Sequence, residues 1–350
     1  FKVDVPPSFW ETLSTHPHIK NLALSFMRLQ EDDTPDFWKT CMKLESLNIR
    51  RIDINNGDGF PRNVVFGWMR KLSMSVGYTI PNDYQLDLVL QSPMLETLEW
   101  EVDQLLVVRE RFIDCRWPQF KALHLSGIHL KDKELEFMLN VSGGDLGIID
   151  DLQLWHCEIG AQAFEALGVH FNTLVKVDIS WASLIMRSIP SDLLCFCLRL
   201  EVLLVKDVFA KDAAERGPWV CQKLRELNIR FRFQESEQDL HQMICGRLST
   251  LIRLERLTIQ YPNSNDVDCN EGLVLRLDSG LELLASLQHL THFCILTAYN
   301  RRFRQLGMEE VAWMVSNWKK LRSIEAQLND NKWVKDQLLS VFESHGIAVQ

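Results

Sequence analysis

Hydrophobic residues recur along the chain in one short pattern: apolar, two of any kind, apolar, one of any kind, apolar. It starts at Ile19, Leu44, Met69, Leu95, Phe120, Ile149, Leu174, Leu200, Leu224, Leu254, Leu290 and Leu321. Successive starts lie 25, 25, 26, 25, 29, 25, 26, 24, 30, 36 and 31 residues apart. In a chain that is 46% hydrophobic, the motif alone would recur by chance. The near-constant spacing carries the inference. The last two apolar positions alternate with a polar one, which is strand period. Leu47-Asn48-Ile49 predicts a strand that buries Leu47 and Ile49 and turns Asn48 outward. One such strand cannot bury its apolar face alone, whereas a stack of parallel strands can. Parallel pairing needs a crossover, and the residues left in each unit suffice for a helix of about three turns. The segments 131–139, 236–248 and 308–318 place apolar residues on one face at helical spacing, 160–167 is short and Ala-rich, and all four are predicted to be those helices.

Read this way, length stops counting separate cores. The expectation is one elongated α/β domain over 1–350: a leading cap at 1–18, regular repeats over 19–253, and irregular repeats with a C-terminal cap over 254–350. Fifty-two of the 350 residues are Leu, as three apolar positions per unit require. Only 16 are Gly and 11 Pro, as crossovers made of helix allow.

The repeats resemble leucine-rich repeats of the ribonuclease-inhibitor-like class, and their cysteine-containing form in F-box proteins. The likeness rests on Cys41-x-x-Leu44-x-x-Leu47-x-Ile49, Cys197-x-x-Leu200-x-x-Leu203-x-Val205 and Cys221-x-x-Leu224-x-x-Leu227-x-Ile229. Leu152 to Gly160 with its Ala-rich helix fits best. The tail, through Gly217-Pro218-Trp219, Met308 to Leu321 and Ser344-His345-Gly346, is similar to a fungal F-box/leucine-rich-repeat group. That resemblance implies a horseshoe solenoid of about 12 repeats with the parallel sheet on its concave face and helices on its convex face. It also implies the substrate-recognition part of an SCF-type ubiquitin ligase adaptor. The SCF core would be a partner only if an F-box precedes residue 1, since no F-box pattern lies within these residues. The position filled by Asn or Cys in such repeats holds Cys157 and Asn329, but Met27, Ile52, Gly77, Asp103, Ile128, Ala182, Val208, Arg232, Pro262 and Ala298 elsewhere. The turn after those strands must be satisfied some other way.

Charge and chemistry narrow the function. The net charge of −9 argues against a duplex nucleic-acid binder, which needs a basic face to release counterions. No stretch of 18 apolar residues exists, so no membrane span is expected. The nine cysteines sit mostly in apolar stretches and read as buried reduced thiols of a cytoplasmic or nuclear protein, Cys195 and Cys197 included. No Walker loop, GxSxG, HExxH or paired CxxC is present. No catalytic residue, metal site or cofactor is therefore assigned, and nothing specifies a small-molecule ligand.

Function is expected on the sheet face, through the residues between and beside the strand apolars. These are Arg50, Lys71, Glu99, Glu101, His124, Asp151, Gln153, Trp155, Lys176, Asp178, Lys206, Glu226, Arg230, Arg256 and Gln260. The face is expected to be acidic in its first half and basic in its second, with Trp155 as an apolar anchor for a protein partner. Two alternatives remain. One is a regulator of a small GTPase or other nucleotide-hydrolysing partner that brings Arg50 or Arg230 to its phosphates. The other is a nucleic-acid reader using Arg230, Arg232, Arg256 and the Arg301–Arg304 run.

Overall fold

A computed structural model describes residues 3–4, 6, 8–54, 60–61, 64–75, 82–102, 117–127, 130–142, 148–234, 239–261, 272–296, 306–326, 328–329 and 331–350. The chain divides into two compact units, one of 1–170 with 182–185, the other of 171–181 with 186–350.

The first unit holds β1 (Val3–Asp4), α1 (Phe9–Thr15), β2 (Asn21–Ser25), β3 (Met27–Leu29), α2 (Thr34–Cys41), β4 (Ser46–Arg50), β5 (Asp53–Ile54), β6 (Lys71–Ser75), α3 (Asn82–Leu90), β7 (Thr97–Glu101), β8 (Ala122–Ser126), α4 (Asp132–Ser142), β9 (Asp151–Trp155), β10 (Glu158–Ile159), α5 (Ala161–Gly168) and β12 (Ser183–Leu184). Strands β2, β4, β6, β7, β8 and β9 pair in that order, all parallel. Short outer strands form β1-β3-β5 and β10-β12, which the strand pattern did not predict. The second unit holds β11 (Lys176–Asp178), α6 (Ile189–Phe196), β13 (Val202–Leu204), β14 (Val208–Phe209), α7 (Ala210–Glu215), β15 (Glu226–Arg232), α8 (Leu240–Leu248), β16 (Arg256–Gln260), β17 (His292–Leu296), α9 (Met308–Asn317), β18 (Ser323–Ala326), α10 (Lys332–Ser344) and β19 (Ala348–Val349). Here β11, β13, β15, β16, β17, β18 and β19 pair in order, again parallel. Each of the twelve apolar motifs carries a strand; β19 is a further strand that no motif announced.

The pattern works as the alternation requires. The first apolar residue of the motif is fully buried at Leu44, Met69, Leu95, Ile149, Leu174, Leu200, Leu224, Leu254 and Leu290. Strand apolars such as Leu47, Leu72, Leu98, Leu123 and Leu152 join them under the sheet. An aromatic run fills the helix side near the N-terminus: Trp10 against Phe37, Phe37 against Trp38, and Trp38 against Phe60, with ring centres 4.6–5.0 Å apart. The four helices expected from spacing correspond to α4, α5, α8 and α9. Residues 236–238 of the third lie outside the described residues. Among the described residues between β16 and β17 the crossover forms two 3-10 turns, Leu277–Ser279 and Leu281–Ser286.

Backbone hydrogen bonds fix the register between repeats of unequal length. The carbonyl just before most main-sheet strands accepts two N–H groups from the next repeat. Lys20 O accepts from Glu45 N (2.8 Å) and Ser46 N (3.0 Å), and Glu45 O accepts from Arg70 N (2.8 Å) and Lys71 N (3.0 Å). In the second unit Arg225 O accepts from Glu255 N and Arg256 N (2.8 and 2.9 Å). In the first unit the side chains at this position alternate in sign: Lys20, Glu45, Arg70, Glu96, Lys121. Lys20 pairs with Glu45, and Arg70 pairs with Glu96 at 2.8 Å. Exposed pairs of this kind contribute little stability each, but like charges at that spacing would oppose the register.

The turn after the strand is satisfied in a way the residue types did not reveal. Phe26, Arg51 and His156, each one residue past its strand, adopt left-handed backbone with φ of 57°, 53° and 58°. The Arg51 guanidinium lies 5.2 Å over the Phe26 ring of the neighbouring repeat. Cys157 follows in the Asn/Cys position and its buried thiol faces the Trp155 carbonyl at 3.3 Å.

Helix ends are joined across repeats as well. Asp132, in the first turn of α4, accepts hydrogen bonds from Gly160 N (2.8 Å), Gln162 N (3.1 Å) and Ala163 N (2.9 Å) at the start of α5. A Cβ on Gly160 would sit 2.6 Å from that carboxylate, so glycine is needed for the approach. Replacing Asp132 by Ala should cost about 1–2 kcal/mol in chemical denaturation, the usual size for a lost helix cap. Gly160→Ala should also destabilise, and by less in the Asp132→Ala background, because both act on one contact. Full additivity in that double-mutant cycle would show the contact is not shared.

Candidate functional site

The parallel register lines up the outward residues in rows. In the first unit Asn48, Ser73, Glu99, His124 and Gln153 are ladder partners across β4, β6, β7, β8 and β9. Beside them run Lys71, Thr97, Ala122 and Asp151, and on the other side Ser126 pairs with Trp155. An open groove of about 620 Å³ lies along these rows. Arg50, Glu99, Glu101, His124, Gln153 and Trp155 line it, with Ser73, Ser75, Ser126 and His156 between them.

A chain of polar contacts crosses the groove floor. Lys71 Nζ is 2.9 Å from Glu99 Oε1. His124 lies between two carboxylates, with Nδ1 3.9 Å from Glu99 Oε1 and Nε2 3.2 Å from Asp151 Oδ1. The second approach lacks hydrogen-bond alignment. Gln153 Nε2 donates to Asp151 Oδ1 at 3.3 Å. Burial pushes the Glu99 carboxyl up. Hydrogen bonds from Lys71 and Ser73 and the charges of Lys71 and His124 outweigh it, so Glu99 titrates below its ordinary value. An imidazole between carboxylates could move protons. Here its neighbours satisfy one another on an open sheet, an arrangement suited to recognising polar groups. Trp155 rises at the end of this floor, 42% exposed.

In the second unit Lys176 and Glu226 are half-buried on β11 and β15, Arg256 is exposed at the start of β16, and Gln260 Nε2 donates to Asn228 Oδ1 at 2.7 Å. Two expected surface residues are not on the surface. Asp178 is only 8% exposed; its Oδ1 accepts from Ser180 N (3.0 Å) and Ser180 Oγ (2.6 Å), which folds the side chain back on its own turn. Arg230 is 4% exposed and gives Nε and Nη2 to Asp207 at 2.6 and 2.8 Å. Arg232 donates to the same carboxylate at 2.6 and 3.3 Å. Arg230 therefore cannot project to a partner's phosphates. Arg301–Arg304 lie outside the described residues.

Asp207 was missed because it sits in the turn after β13, beyond the strand positions that the period identifies. The rings of Phe209, under Arg187 and Arg232, and of Trp181, under Lys206, also lie outside the strand positions that the motif marks. Cysteine placement mostly follows expectation. Cys41, Cys157, Cys197, Cys221 and Cys245 are buried, and burial pushes the thiols of Cys157, Cys197 and Cys245 up to about 12. Cys195 and Cys294 differ, each only partly buried: the Cys195 thiol faces the Gly217 carbonyl at 3.2 Å near the end of α6, and the Cys294 thiol faces Glu325 Oε2 at 3.3 Å. Cys115 and Cys269 lie outside the described residues. Among the described residues no cluster of His, Cys, Asp and Glu could hold a metal ion, and no helix is long and apolar enough to cross a membrane.

No protein-family model and no curated protein matches this chain. Solved structures do. A chain of the mouse RP105/MD-1 complex aligns over 100% of this chain and 57% of its own length, at 14% identity and TM-score 0.53. An internalin of Listeria monocytogenes aligns over 97% of this chain and 88% of its own, at 12% identity and TM-score 0.46. A chain of the yeast Rad7–Elc1 complex aligns over 97% and 77%, at 13% identity and TM-score 0.46. The repeated parallel strands, their crossovers and the first of these likenesses define the fold as an α/β leucine-rich-repeat solenoid.

Asp207 gives the second unit an acid-sensitive element. Burial alone would raise its carboxyl, but hydrogen bonds from Arg230 and Arg232 and their charges outweigh it and hold it below the ordinary value. A depressed carboxyl contributes stability above the ordinary carboxylate range and loses it as pH falls through the folded-state value. Asp207→Asn should cost about 3 kcal/mol near neutrality by leaving Arg230 buried without its counter-charge. It should also flatten the acid limb of the unfolding curve. An unchanged acid limb in urea titrations across pH would show that Asp207 is not the group responsible.

Proposed function

We propose that the chain is a protein-interaction scaffold that binds a partner on the open sheet face, with residues 1–350 acting as one repeat array. The observation that carries this is the groove of the first unit, where a half-exposed Trp155 stands at the end of a polar floor. A partly exposed tryptophan beside fixed polar groups is a common composition for an energetic centre of an interface. The order of the cysteine-containing repeats and the tail segments resembles fungal F-box/leucine-rich-repeat proteins. We therefore read the partner as the substrate of an SCF-type ubiquitin ligase. In that reading this region recognises substrate, and the SCF core attaches through an F-box outside these residues.

Affinity capture with the unmodified protein and with Trp155→Ala, compared by quantitative mass spectrometry, tests this. A true partner should be depleted about tenfold or more with Trp155→Ala. Capture unchanged within about twofold would sink the groove as the contact surface. Subunits of an SCF core recovered with the native protein from its own cells would support the ligase reading. Their consistent absence would count against it.

A further inference from the structure

Two cations of the second unit have no acidic counterpart among the described residues. Lys206 Nζ lies 5.4 Å over the Trp181 ring, and the Arg187 guanidinium lies 4.5 Å over the Phe209 ring. Neither has a carboxylate within ion-pair distance there. Other cations do: Lys131 meets Glu158 at 2.8 Å and Arg216 meets Asp192 at 2.9 Å. The Arg187–Phe209 pair sits close to a third cation, and Lys206 lies three residues before Phe209 in the chain. Phe209 is the ladder partner of Arg232, whose guanidinium lies 6.0 Å from the same ring. Arg232 is fixed in turn by Asp207, which the buried Arg230 holds. One carboxylate thus faces two arginines, and the positive charges of Arg187 and Lys206 are left over in a protein of net charge −9.

We propose that this patch docks an acidic segment of a partner protein. Asp or Glu carboxylates would be bound by Arg187 and Lys206, with an apolar side chain beside Trp181, which is 62% exposed. A guanidinium held on an aromatic ring is pre-oriented, and its planar fork matches a carboxylate. Complementary charge also steers the encounter. A nucleic acid fits less well: Phe209 and Trp181 already carry cations, so a base stacking on either ring would have to displace one. This inference rests on the reading of the chain as a protein-interaction scaffold, but it concerns a surface that does not include Trp155.

The test is fluorescence anisotropy on the full chain at low salt, with a labelled peptide of alternating Glu and Leu as probe and its Gln-for-Glu counterpart as control. The Glu peptide should bind, and binding should weaken as salt rises. Arg187→Gln with Lys206→Gln should lose about tenfold or more in affinity, and Arg187→Lys alone should lose about threefold or more, because an ammonium lacks the planar fork. Trp155→Ala should leave this affinity unchanged, which separates failure here from failure of the groove. Equal binding of the Gln peptide would overturn the proposal. So would loss below about twofold in the Gln double variant, with an unchanged melt showing that it is folded, or tighter binding of a single-stranded RNA of equal length.

Discussion

The carbonyl before most main-sheet strands, shared by two N–H groups of the next repeat, is the contact on which the rest depends. Each is a backbone group that must be paired once buried, so a strand cannot slide without orphaning donors. A slip of one residue would also turn Leu47, Leu72 and Leu98 outward and Asn48, Ser73 and Glu99 inward. Hydrogen bonding and burial therefore select the same register. In the first unit the alternating Lys20, Glu45, Arg70, Glu96 and Lys121 side chains favour it too, weakly.

Fixed register is what turns distant sequence positions into a surface. Glu99, His124 and Asp151 are far apart in the chain, yet they lie on adjacent strands and form one polar floor. None of them needs a special loop. Each is simply an outward residue of a strand whose inward neighbours are buried. The face is firm because its side chains stand on the sheet, and this favours a binding surface that changes little on contact.

Turns obey a looser rule, and there the surface departs from what period alone suggests. In the second unit the turn after β13 brings Asp207 under two arginines, and the turn after β11 lets Ser180 claim Asp178. Two residues that alternation placed on the face are thereby withdrawn from it. The left-handed residues Phe26, Arg51 and His156 show the same thing in backbone form. Their types give no hint of it; the conformation follows from leaving a strand and entering the inward position where Met27 is half-buried and Ile52 and Cys157 are fully buried.

The sequence by itself determined where the twelve motif strands lie, which of their side chains face inward, and that the crossovers are mostly helical. These follow from apolar period and spacing, which are local quantities. It also marked the groove residues Arg50, Glu99, His124, Gln153 and Trp155 as outward. Only the tertiary structure decided which charges remain available. Asp207 neutralises Arg230, Asp132 caps the helix of the next repeat, and Lys206 and Arg187 rest on aromatic rings. The physical reason is the same in each case. A charge is spent or kept according to what lies a few ångströms away, and in a stack of repeats that neighbour comes from another repeat, or from a turn whose path no period describes.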